Sequence, residues 1–208
     1  MGESTVKSKV PSAHEKLIAA APRVSAVLRK LAPEMSQQPG RDTLFHVEIG
    51  QLLLADLGIH TKRAFGFAAW RVGPGVGDVL SYHPMGLGWL PQSEDSLPYQ
   101  AWLEFQSTII DFTTYQFERK AKELDALDGR TTCVEWCPQY LLIPHSEVRS
   151  LTKVVDATHS GLTYYQAVPK LYSIVDTGKQ PNESAVCRAR TLFQSGDLTV
   201  SPGCDGTT

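Results

Sequence analysis

No apolar run in the 208 residues approaches the roughly 18 that a helix needs to span a bilayer, so a membrane is not an expected partner. An excess of one charge is missing too: 20 basic residues face 22 acidic ones, for a formal net charge of −2 and a pI near 6.3. Phosphate binding needs a net basic face, which argues against nucleic acid. The opening residues 1–7 are polar and carry no apolar stretch of the kind that directs secretion. Gly2 invites a myristoylation reading, but Val6 stands where that signal wants Ser or Thr. A cytoplasmic protein is the expectation. Internal repeats and low-complexity tracts are also absent.

Cysteine is scarce. Cys133, Cys137, Cys187 and Cys204 are expected to be reduced in a chain of this size and compartment. Cys133 and Cys137 tempt a zinc reading with His145 and His159, but the segment between them is rich in strand formers. Two sulfurs four residues apart on a strand are separated by roughly 13 Å, too far for one metal ion or a disulfide. Small buried thiols on a core strand are the expectation, and no metal or cofactor is implied.

What the chain does have is 42% hydrophobic and 20% charged residues, ordinary for a globular protein that can bury a core without staples. A single α+β domain covering 1–208 is expected, in four parts. Residues 1–40 read as a helical extension. Ser12 and Glu15 have capping-box spacing, Leu17, Ile18 and Ala21 make a first stripe, and Pro22 should break or restart the helix. Val24, Val27, Leu28 and Leu31 make a second stripe before Pro33, and residues 36–40 form a loop. This part should pack on the body of the protein or on a partner.

Residues 41–143 form the expected core. From Asp42 to Leu57 the apolar positions circle the helix, so it should be buried on most sides, with Asp42 or Thr43 as N-cap and Gly58 as stop. Two strands, Thr61 to Val72 and Asp78 to Tyr82, flank the Gly73-Pro74-Gly75-Val76-Gly77 turn. That turn is no phosphate cradle, because a strand follows it where a dinucleotide loop opens a helix. Residues 83–98 are irregular and would cover a cleft. A hairpin then runs Tyr99 to Phe105 and Thr108 to Thr113 around Gln106-Ser107. A helix from Tyr115 to Leu127 follows, then strands Thr131 to Trp136 and Tyr140 to Ile143. Residues 144–200 are a C-terminal extension with a helix at Ser184 to Phe193, and 201–208 a frayed tail.

The order buried helix, Gly58-Ile59 exit, strand ending in Gly66, Gln100-Ala101-Trp102 on one strand and Asp111-Phe112-Thr113 on the next resembles the transglutaminase-like branch of the papain-type cysteine-protease fold. The resemblance covers roughly residues 40–115. The chain is also similar to an uncharacterised bacterial family of that fold, marked by Ala68-Ala69-Trp70-Arg71-Val72-Gly73, Asp111-Phe112-Thr113-Thr114-Tyr115 and Trp136-Cys137-Pro138. The resemblance implies a Cys-His-Asp triad whose cysteine falls at Thr43, whose histidine falls at Gln100 and whose acid is Asp111. Glutamine has no nitrogen that titrates near neutral pH, and a threonine hydroxyl without a base is a poor nucleophile. The triad reads as degenerate, and the fold as one that keeps a cleft for binding a protein or a small molecule, or for scaffolding.

The hairpin register can be checked by hand. A two-residue turn sets Phe105 opposite Thr108, Trp102 opposite Asp111 and Gln100 opposite Thr113. Gln100 and Asp111 then share a side as diagonal neighbours, where the amide can donate to the carboxylate. The alternative is a pair of unrelated polar residues on an exposed strand face. Thr43 with His46, and Asp111 or Asp78, would be an unorthodox nucleophile pair, although a histidine in so apolar a helix is more often a satisfied core residue. His46, Glu48, Asp78 and His83 have no chelating spacing. Trp70, Trp89 and Trp102 would line a pocket or fill the core. Two further readings remain: an active hydrolase or acyl transferase with another nucleophile, Cys137 included, and an assembly subunit docking through an exposed stripe on residues 14–31.

Overall fold

The computed structural model describes residues 11–35, 41–83, 99–175 and 181–196. The loop expected at 36–40, most of the irregular cleft-covering segment with Trp89, and the tail with Cys204 lie outside them.

Helix α1 (Ala13–Met35) starts at the expected capping box. The Glu15 amide donates to Ser12 Oγ at 3.2 Å, and the Ser12 amide to Glu15 Oε2 at 2.6 Å. The bond from the Ser12 amide, with the Ser12 hydroxyl beside it, holds the Glu15 carboxyl below its ordinary pKa. The expected break at Pro22 does not occur; the helix continues through Pro22 and Pro33. Both prolines are exposed, and Ile18, whose carbonyl loses its partner to Pro22, is 51% exposed. Water can satisfy that carbonyl, so the missing bond costs less than it would inside a core. The opposite face buries Leu17, Ala21, Val24, Val27, Leu28 and Leu31 against helices α2 (Arg41–Asp56) and α6 (Glu183–Ser195). Of the two expectations for this part, packing on the body of the protein is the one met: α1 walls the main core.

Helix α2 is buried on most sides, as its all-round apolar pattern requires, and stops at Gly58. It begins at Arg41, so Asp42 and Thr43 lie in its first turn and neither is the cap.

The sheet is antiparallel, curled and six-stranded, with helices packed around it: an α+β fold. Its hub is β1 (Lys62–Arg71), which pairs with β2 (Val79–Ser81), β3 (Gln100–Phe105) and β6 (Thr163–Ala167). Strand β4 (Thr108–Asp111) pairs with β3 and with β5 (Leu141–Pro144). The hairpin register is the expected one, Phe105 opposite Thr108 and Leu103 opposite Ile110. Alternation then sorts side chains between two clusters. Phe65, Ala101, Leu103 and Ile110 join the core under α1 and α2. Ala64, Ala68, Trp102 and Ile109 join Trp70, Tyr165 and Phe117, the first residue of helix α3 (Phe117–Asp128). At Gly66 the sheet tolerates no side chain, because a Cβ there would sit 1.9 Å from the Gln166 carbonyl oxygen.

Two further expectations fail. Thr131 to Trp136 is not a strand: Glu135 and Trp136 both donate to the single Val72 carbonyl, which anchors an irregular crossing and cannot start a ladder. Cys133 is accordingly exposed and Cys137 half-buried, so they are not core thiols. The described stretches of residues 144–200 carry regular structure of their own. They include helices α4 (Leu151–Asp156) and α5 (Pro169–Val175), and β6 completes the sheet against β1.

Candidate functional site

Thr43, Gln100 and Asp111 converge. Thr43, in the first turn of α2, donates its hydroxyl to Gln100 Oε1 at 3.0 Å. Gln100 opens β3 and spends both amide hydrogens, one on Asp111 Oδ2 at 3.1 Å and one on Thr113 Oγ1 at 2.8 Å. Thr113 donates to Asp111 Oδ1 through its backbone N–H and its hydroxyl, both at 2.8 Å. The fourth donor to Asp111 is Tyr165, whose hydroxyl reaches Oδ2 at 2.9 Å from β6 and itself accepts from Trp70 Nε1 at 2.8 Å. Four donors fill the acceptor capacity of a carboxylate. Lys120 on α3 places its ammonium 3.0 Å from Thr113 Oγ1 and about 5.0 Å above the Trp70 ring.

All of it is inside. Asp111 is fully buried, Gln100 and Thr113 are 1% exposed, and Thr43 is 6% exposed. The alternative of unrelated polar residues on an exposed strand is excluded. Burial and the Asp111 charge push the Tyr165 hydroxyl well above the usual tyrosine pKa, so it remains a donor at any physiological pH.

Chemically, the chain of bonds runs the wrong way for nucleophilic catalysis. A triad passes a proton from nucleophile to base. Here the Thr43 proton rests on an amide oxygen that is barely basic, and the nitrogen beside it only donates. The arrangement orients, fills and seals.

The remaining candidates separate. His46 bonds the Tyr115 hydroxyl at 2.9 Å and packs edge-on to Phe45, the satisfied core histidine of the bland reading. Asp78 belongs to the β1–β2 turn, where it accepts from Gly75 N at 2.6 Å and Cys133 N at 2.8 Å. Neither Asp78 nor Asp111 serves His46 in a nucleophile pair. His83 lies between the Phe67 and Tyr164 rings, and partial burial lowers its pKa. Trp70 and Trp102 are core residues at the back of the network, each ring packed on Tyr165; Trp102 Nε1 donates to Glu104, not to Asp111. The Cys137 thiol donates to the Thr114 carbonyl. No group of three metal-ligating side chains gathers among the described residues. The apolar stripe of α1 is covered by α2 and α6, which removes the motive for a docking stripe there.

Tyr165 and Lys120 escaped the sequence reading. The run Thr163-Tyr164-Tyr165-Gln166-Ala167 carried a signal, a short β-branched and aromatic strand pattern. Nothing local indicated that it would return to β1 and reach Asp111.

No family model and no curated protein matches this chain. A crystal structure named genomics APC5867 shares its fold, with a TM-score of 0.58 over 89% of this chain and 81% of that chain. The two are 17% identical. No helix among the described residues is long and apolar enough to cross a membrane.

Proposed function

We propose that the chain is a transglutaminase-like protein of the papain-type fold in which the hydrolase triad has become a structural lock, leaving a binding or scaffolding role. The continuous path Thr43–Gln100–Asp111 carries this reading, because the three positions the resemblance nominates are hydrogen-bonded neighbours. The acid keeps its partner, the base position holds an amide, and the nucleophile position holds a hydroxyl already committed as a donor. In this reading Thr43 and Gln100 pin the start of α2 to the hairpin, and Tyr165 pins the same acid to β6.

The test rebuilds the triad. In a Thr43→Cys, Gln100→His double variant, the thiol at position 43 gains a helix N-terminus and a neighbouring imidazole, both of which lower a thiol pKa. The ultraviolet absorbance of the thiolate, followed against pH and compared with the parent chain, should show one added thiol titrating below the ordinary cysteine range, a readout that needs no reagent to enter a buried site. A folded double variant whose added thiol titrates no lower than an ordinary cysteine sinks the reading.

A further inference from the structure

Away from this network, the turn between β1 and β2 is built with unusual care for a loop whose tip is apolar. The Gly75 amide donates to Asp78 Oδ2 at 2.6 Å, the Asp78 amide donates back to the Gly75 carbonyl at 3.0 Å, and Cys133 N ties the other carboxylate oxygen. Gly73 lies so close to the Cys133 carbonyl that a Cβ would approach it to 2.3 Å. The tip these contacts hold is Val76, 96% exposed. A solvated tip would not need an apolar residue held in place. Facing it is α4, whose Val155 is 44% exposed.

One buried side chain fixes the distance between these two walls. Arg71, 2% exposed, donates Nη1 to the Gly75 carbonyl at 2.6 Å, and Nη2 to the Val155 carbonyl at 2.7 Å and to that of Ala157. Between the walls lies a cavity of about 380 Å³, within the range that small-molecule sites occupy. Val76, Val79, Leu124, Leu151 and Val155 give it apolar sides. Arg130 and Asp156 also line it, so its formal charge sums to zero. Ser81 lines it as well, and its hydroxyl oxygen, set just behind the wall, has no hydrogen-bond partner among the described residues, so a side-chain rotation would bring it to the cavity. A buried polar group without a partner costs stability, and a ligand carrying a hydroxyl or carbonyl would supply one.

We infer that this cavity is a preformed site for a small, uncharged, largely apolar molecule bearing one hydrogen-bonding group, held open by the Arg71 clamp. It shares no lining residue with the Thr43–Gln100–Asp111 network, so either assignment can fail alone.

The probe is N-phenyl-1-naphthylamine, a neutral apolar fluorophore, titrated into the purified full chain. Saturable binding at one site per chain is expected. Val76→Asp alters only an exposed tip and should weaken binding about tenfold, the scale of one lost apolar contact in a pocket. Ile18→Asp, on the exposed face of α1, should leave it unchanged. Arg71→Met should weaken binding as well, with circular dichroism reporting whether that variant folds. Octan-1-ol should displace the dye at lower concentration than octanoate. Non-saturable binding, equal effects of Val76→Asp and Ile18→Asp, or stronger displacement by octanoate would each overturn the assignment.

Discussion

Asp111 and Arg71 are the most deeply buried charges among the described residues, and they are treated oppositely. Asp111 is held by Gln100 of β3, by the hydroxyl and backbone N–H of Thr113 just past β4, and by Tyr165 of β6, each donor matched to an acceptor, and the cluster is buried. Arg71 is held by backbone carbonyls of a turn and a short helix. Its Nε and the nearby Ser81 Oγ are two of four buried side-chain atoms without a partner among the described residues. A saturated polar cluster has nothing left to offer a ligand; a partly satisfied one beside a cavity does. The residues around Asp111 thus have their hydrogen-bonding capacity spent on one another.

That contrast can be broken by deletion. Asp111→Ala should cost the most, about 3–5 kcal/mol, because it strands four donors in the core. Urea unfolding would measure it, and a loss below about 1 kcal/mol would mean that water replaces the carboxylate and the cluster is not closed.

Tyr165→Phe removes one donor from Asp111 and the oxygen that accepts from Trp70 Nε1, and should cost about 1–3 kcal/mol. The same variant isolates a pH effect. The folded-state pKa of Tyr165 lies above its unfolded value near 10, so the folded state keeps a proton that the unfolded state releases. The resulting stability is whole below about pH 10 and falls by about 1.4 kcal/mol per unit above it, until the folded pKa is reached. Unfolding midpoints of the native chain and of Tyr165→Phe should converge as pH rises past 10. Parallel curves would remove Tyr165 as the source.

Ser81→Ala sharpens the comparison from the other side. A hydroxyl that makes no bond should be removable at a change within about 0.5 kcal/mol, and a gain is in order because an unsatisfied group disappears. A clear loss of melting temperature would show that the hydroxyl has a partner after all.

Local pattern made the first half of the fold legible. The capping box, the all-round apolar α2 with its Gly58 stop, and the hairpin register that aligns Gln100 with Asp111 are all written in residues close together in sequence. The errors share one cause, tertiary context overriding a local rule. Pro22 is tolerated because that face of α1 meets water, and residues 131–136 lose their strand because they cross one carbonyl of Val72. The missing members of the network, Tyr165 and Lys120, arrive from elements distant in sequence, where periodicity says nothing about the neighbour.

The union of α1 with α6 also sets a schedule. The Arg23 guanidinium donates to the Phe193 carbonyl and stacks on its ring, while Arg190 of α6 grips Asp56 at the end of α2. A ribosome adding about 5–20 residues per second makes α1 roughly ten to thirty seconds before α6. Through that interval the apolar side of α1 has only α2 to cover it, and the face that will meet α6 stays open to water.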